Sequence, residues 1–192
     1  MKLDVTYISQ HRDIQDKYWQ KRACGLVCLK MVLDFHQIKV PEINEFLEIA
    51  LKKESYHNLN GWIHDKLLEL ARDYGFKNSH RKEFKSKNLL KQLLGGETPK
   101  LGGSEKSIRE IEGIKEIVEF LEEGNPVIVS ISAIRFLDEF EGKFHQVVLT
   151  GYDEQGFYYN DPGYKNEEGK DLHVDINTFK KYWRKMVIFI KL

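Results

Sequence analysis

Two cysteines stand four positions apart in QKRACGLVCLKMVL, residues 20–33. A lone thiol offers nucleophilic attack or redox chemistry, and which cysteine could do either depends on its surroundings. Cys24 has a polar, basic stretch before it and a glycine after it, whereas Cys28 sits amid leucine, valine and methionine. A cysteine in the first turn of a helix meets unpaired N–H groups and the positive end of the macrodipole, which favour thiolate. Gly25 would let a substrate backbone come close. Cys28 lies one turn further in, where the dipole has faded. Cys24 is therefore the candidate nucleophile and Cys28 a packing residue, against a background in which buried, inert thiols are common.

A nucleophile of this kind needs a base, and the base needs an orienting group. His145 opens the apolar stretch HQVVLTGY, and Asp161 closes YYND just before Pro162. If the two stretches form a hairpin turning about Glu154 and Gln155, His145 faces residues near 163 or 164. Asp161 is then two or three steps of roughly 3.3 Å from standing directly across. Strand twist or a bulge would bring the carboxylate to the imidazole. Both residues also have ordinary readings, a strand-edge histidine as structural or solvated and an aspartate before proline as a turn former. Their order along the chain, cysteine then histidine then acid, is that of a papain-type site.

Other chemistries find less support. There is no HExxH, the cysteines lack a second pair, and the seven histidines are scattered, so no metal or other cofactor is expected. Leu94-Gly95-Gly96 and Leu101-Gly102-Gly103 lack the lysine and the strand-to-helix context of a phosphate loop. A glycosidase would require two carboxylates chosen arbitrarily among many on solvated helices. Thirty basic and thirty acidic residues cancel, which gives no footprint for nucleic acid. The local charge runs (Arg81, Lys82, Lys85, Lys87 and Lys91; Glu116, Glu119, Glu122 and Glu123) read as solvated faces, with a partner-binding patch as the lesser alternative. The start, MKLDVTYISQ, has no apolar core of signal-peptide length, and no segment approaches the ~18 apolar residues of a membrane span. The expected setting is cytoplasmic, unless a leader has been removed, and there the two thiols stay reduced.

The elements that must carry these residues follow from periodicity. Ala23 to His36 is apolar nearly all round, which predicts a buried, central helix. Pro41 opens a second helix, PEINEFLEIALKK. A third covers WIHDKLLELARDY and stops at Gly75, a shorter one spans NLLKQLL, and Ser107 to Glu123 carries an apolar stripe. Strands are then expected at PVIVSISA, HQVVLTGY, GFYYND and MVIFIK, with a short helix around Ile176 to Trp183. Helices first and an antiparallel sheet second describe an α+β fold of two lobes, with the central N-terminal helix packed on the sheet. The chain reads as one domain over 1–192, its helical part about 1–124 and its sheet part about 125–192.

The stretches YISQ…CGLVCLKMVLDF, FHQVVLTGYD and YYNDP resemble papain-like cysteine peptidases of the bacteriocin-processing, double-glycine type and their stand-alone relatives. GWIHDKLLELARDYGF is similar to the segment between nucleophile helix and sheet in those proteins, so the likeness spans nearly the whole chain. It implies a papain-like fold, with Cys24 as nucleophile, His145 as base and Asp161 as its orienter. It also implies an oxyanion-stabilising glutamine ahead of the cysteine. Gln10 in YISQ is the match, and Gln20, nearer in sequence, is the alternative. The implied activity is thiol-dependent hydrolysis of a peptide or related amide bond, with a peptide or protein as substrate. Acyl or peptidyl transfer, a non-catalytic peptide-binding groove, or an oxidation-sensitive thiol are the other readings. Relatives that process bacteriocins are fused to transporters, and no membrane segment is evident here, so that role implies a separate transporter or delivery partner. The two Leu-Gly-Gly stretches resemble the cleavage signal of such peptidases, although flexible glycine between helices is their ordinary reading. Trp19 and Trp183 read as packing aromatics, and either could also line a substrate groove. His36, His57, His64, His80 and His173 have no evident partner.

Overall fold

The computed structural model describes residues 1–59, 61–84, 104–132 and 144–192, with the backbone alone from 104 to 109. The stretch NLLKQLL, both Leu-Gly-Gly sequences and Lys85, Lys87 and Lys91 lie outside the described residues.

Three helices come first: α1 (Cys24–Phe35), α2 (Ile43–Lys52) and α3 (His64–Asp73). Between the last two sit the two-residue strands β1 (Tyr56–His57) and β2 (Gly61–Trp62), paired with each other. Then follow β3 (His80–Glu83), α4 (Ser104–Glu122), β4 (Val127–Ser132), β5 (Phe144–Tyr152), β6 (Gly156–Asn160), β7 (Leu172–Asp175), α5 (Ile176–Tyr182) and β8 (Trp183–Phe189). The six longer strands form one antiparallel sheet in the order β3-β8-β4-β5-β6-β7.

Apolar side chains fill both faces of this sheet. On one face Ile128, Val148 and Ile188 join the cluster built by α1, α2 and α3. On the other, Val127, Val129, Val147 and Leu149 pack with Ile117 and Leu121 of α4 and Phe179 of α5. The alternation of Val147 with Val148, and of Val127 with Ile128, is the two-residue period of a pleated strand with no watery side. The architecture is α+β, with α1 buried along almost its whole length between the sheet and the other helices.

Several boundaries differ from expectation. Trp62 pairs with Tyr56 in the small hairpin, so α3 begins only at His64. Trp183 is not the end of α5 but the first residue of β8, paired with Ile131, and two extra residues bulge out before Met186 pairs with Ser130. Lys185 takes φ 61 in that bulge. Strand β7 was not anticipated, because four residues are too few for a clear alternation. Strand β3, all of it exposed, was hidden in a charge run. Charge on an edge strand discourages pairing with other chains, and here Arg81 and Lys82 also pair with Asp65 and Glu116.

Candidate active site

Cys24 is the first residue of α1, and Ala23 before it provides no side-chain cap. The Cys24 N–H is thus among the orphan donors of the helix end, and the thiol sits at that end, 9% exposed. His145, the second residue of β5, is buried, and the Cys24 side chain is among the groups that act on its ring. Its Nε2 stands 2.5 Å from Asp161 Oδ1, which leaves Nδ1 as the ring nitrogen for the thiol. Burial disfavours the imidazolium, but the charge and hydrogen bond of Asp161, followed by the nearby Cys24 side chain, outweigh it. The His145 pKa is pushed up to about 10. Cys28, completely buried, is driven the other way for a reactive thiol: burial first, then Cys24 and Asp161, raise its pKa well above the usual range.

A β-bulge brings Asp161 to His145. Near the hairpin turn Gly151 pairs with Tyr158, whereas beyond it Leu149 pairs with Tyr159, so the register shifts by one residue at Thr150. Continued past Asn160, the shifted register sets Asp161 opposite Val147, on the same side of β5 as His145. Without the extra residue Asp161 would oppose Val148 and point away, since a slip of one residue turns every side chain over. The loop after β6 then fixes the carboxylate. Gly163 N–H donates to Asp161 Oδ1 at 2.8 Å, and the Tyr7 hydroxyl donates to the Asp161 carbonyl at 3.0 Å.

The two candidate glutamines are in different situations. Gln20 donates its amide to the Ile14 carbonyl at 2.8 Å. Gln10 is wholly buried, and neither atom of its amide has a partner. Its backbone N–H donates to the carbonyl of Pro162, the residue after Asp161. A buried, unengaged amide beside the acid loop is a donor awaiting an acceptor.

Sequence reasoning passed over two histidines here. His11, next to Gln10, has its pKa lowered by burial and by the cations Lys165, His145 and Lys21. His64 touches Gln146, the residue after His145. The signal was present in HQVVLTGY, where a glutamine interrupts an otherwise apolar strand. Among the described residues no three metal-binding side chains converge, and no helix is long and apolar enough to cross a membrane.

Residues 2–188 match the sequence model of the Peptidase_C39 like family. The uncharacterized protein YvpB of Bacillus subtilis (strain 168) is 27% identical over 180 residues, which cover 85% of this chain and 66% of that protein. The chain thus spans just under two-thirds of that relative. Among solved structures, a C39-like peptidase candidate from Bacillus anthracis is 20% identical with a TM-score of 0.60, covering 100% of this chain and 98% of its own. A double glycine motif protease from an AMS/PCAT transporter, solved with the leader peptide, is 16% identical with a TM-score of 0.56, covering 100% and 94%. These structures share the fold.

Proposed function

The chain belongs to the Peptidase_C39 like family, and from that premise we propose that it is a cysteine peptidase working through Cys24, His145 and Asp161. One observation carries the reading: buried His145 is held at 2.5 Å by buried Asp161 and feels the Cys24 side chain beside it. Asp161 stabilises the imidazolium and sets which ring nitrogen faces the thiol. Cys24, as thiolate, attacks the carbonyl carbon of the scissile amide. The oxyanion that forms is met by the Cys24 N–H and the Gln10 amide. His145 gives its proton to the leaving amine, a thioester remains on Cys24, and water taken up through His145 releases the acid and restores the thiol.

The proposed substrate is a peptide or a peptide segment of a protein. The family likeness, together with the leader peptide bound to the transporter-derived protease, favours a leader-type substrate brought by a separate transporter or delivery partner. The whole stretch 1–192 acts as one peptidase unit in this reading. The proposed setting is the cytoplasm, where the free Cys24 and Cys28 stay reduced.

The test is cleavage of a peptide library by the parent, Cys24→Ala, His145→Ala, Gln10→Ala and Gln20→Ala proteins, read by mass spectrometry. Cys24→Ala and His145→Ala should lower turnover by about 10³-fold or more. Gln10→Ala should lower kcat by about 10²–10³-fold, and Gln20→Ala should leave it near the parent value. Cleavage that survives Cys24→Ala would overturn the reading.

A further inference from the structure

We infer that Gln146 is a positioning residue: clamped by His64, it fills the space that Gly25 leaves under the first turn of α1 and so fixes how Cys24 meets His145. The inference rests on the triad reading above and concerns how that triad is held.

The three elements meet at one point. Gln146 follows His145 on β5, Gly25 follows Cys24 on α1, and His64 is the first residue of α3. Gln146 Nε2 lies 2.6 Å from His64 Nε2. An amide nitrogen only donates, so His64 Nε2 is the bare acceptor and its proton is on Nδ1. Gln146 Oε1 is buried and without a partner. It lies so close to Gly25 that a Cβ there would collide with it, and would also come within 2.9 Å of the Trp62 Cβ. Glycine is required here for a close approach rather than for an unusual backbone angle. The contact joins the neighbours of the two groups that must react, so a change in its length is passed to the thiol and the imidazole.

A glutamine is a costly strut. One acceptor is left unsatisfied inside the protein, which is destabilising, and an apolar side chain of similar volume would avoid that. Each such exception calls for an explanation. What the amide adds is a fixed orientation, since His64 holds its nitrogen and thereby aims its oxygen.

The clamp requires an unprotonated His64, and its surroundings keep it so. Burial lowers its pKa first, then Arg81 of β3 and Arg184 of β8, against the smaller opposing pull of Asp65 on α3 and Glu83 on β3. The result is about 4. A protonated His64 offers two donors and no acceptor. Gln146 would then turn its oxygen to His64 and its amino group to Gly25, and the strut would change shape.

The test uses iodoacetamide labelling of Cys24, mapped by mass spectrometry, which needs no substrate. The variants are Gln146→Leu, His64→Leu and His64→Gln, each checked for folding by circular dichroism. Gln146→Leu and His64→Leu should label about tenfold or more slowly than the parent, as misplacement of reacting groups does. His64→Gln keeps an acceptor for the Gln146 amide and should stay within about threefold of the parent. It should also carry the acid-side loss of labelling to lower pH, because its acceptor does not titrate. Should Gln146→Leu fail to fold, His64→Leu against His64→Gln makes the same comparison. Folded variants that all label like the parent, with one shared pH profile, would overturn the inference. A parent whose Cys24 labels no faster than a free thiol, or keeps its rate in His145→Ala, would instead overturn the triad reading beneath it.

Discussion

At the scale of single residues, burial pushes both histidines of the site the same way, and their neighbours decide the outcome. His145 is buried and His64 half-buried, yet one is raised to about 10 and the other lowered to about 4. The difference is the partner. A carboxylate and a thiol face His145, whereas two guanidinium groups lie around His64 and only a neutral amide bonds it. The sign for stability follows from linkage. An unfolded His145 loses its proton around its ordinary 6.5, while the folded one keeps it to about 10. Its contribution to stability is therefore fully present below pH 6.5 and is lost as pH rises towards 10. Urea unfolding of the parent and of His145→Gln should differ most below pH 6.5, with the gap closing as pH approaches 10. A gap that is constant with pH would show that no proton is held by the folded state. Of these residues, Cys24, His145 and Asp161 stand out as candidates by type, order and family likeness. His64 and Gln146 do not, because their meeting joins positions 82 apart.

At the scale of elements, the sequence revealed what is long and periodic and concealed what is short or charged. Helix α1 showed in its unbroken apolar run, and β4 and β5 showed as buried strands. The one-residue shift at Thr150 left no local mark, since Thr150 reads like any strand residue. It nevertheless decides which side of β5 Asp161 faces. The N-terminal segment offers only YISQ to a reader, having neither period nor apolar run, yet it ties the acid loop in place. Leu3 N–H donates to the Thr150 carbonyl at 2.7 Å, next to the bulge. Ser9 donates its hydroxyl to Tyr164, and Tyr7 donates to Asp161. Tyr7→Phe keeps the ring and removes only the donor, leaving a buried carbonyl short of one bond. The expected loss is about 1–3 kcal/mol, visible as a lower urea midpoint with an unchanged slope. If the segment also steadies Asp161, peptide turnover should fall with little change in KM. A full-strength midpoint in Tyr7→Phe would mean that the hydroxyl contributes nothing to holding the loop.

At the scale of the whole molecule, the site lies where one helix end meets a sheet that carries helices on both faces. Cys24 belongs to α1, on the face with Ile128 and Val148, while His145 and Asp161 belong to β5 and the end of β6. The thiol–imidazole contact thus draws on both faces: α1 packs with Ile128 and Val148, whereas His145 pairs with Ile131 and shares the side of Val147, both in the opposite cluster. That crossing makes a prediction about two kinds of core damage. Ile128, 1% exposed, lies in β4 within the α1-side cluster. Phe179, also 1% exposed, lies in α5 within the opposite cluster. Ile128→Ala should cost about 2–5 kcal/mol and Phe179→Ala about 3–5 kcal/mol, from lost transfer energy and the cavity left behind. Such losses are a large share of the stability of an ordinary domain, so both variants should melt earlier by similar amounts. Below their transitions both should lose labelling rate, each from its own side. With Ile128→Ala, α1 can settle towards the cavity, and His145-dependent labelling of Cys24 should slow. With Phe179→Ala the cavity opens beside Trp183, which stacks on Phe179 and pairs with Ile131, the strand partner of His145, so that labelling should slow as well. A variant that melts earlier yet labels at the parent rate would show that packing on its face does not set the thiol–imidazole contact.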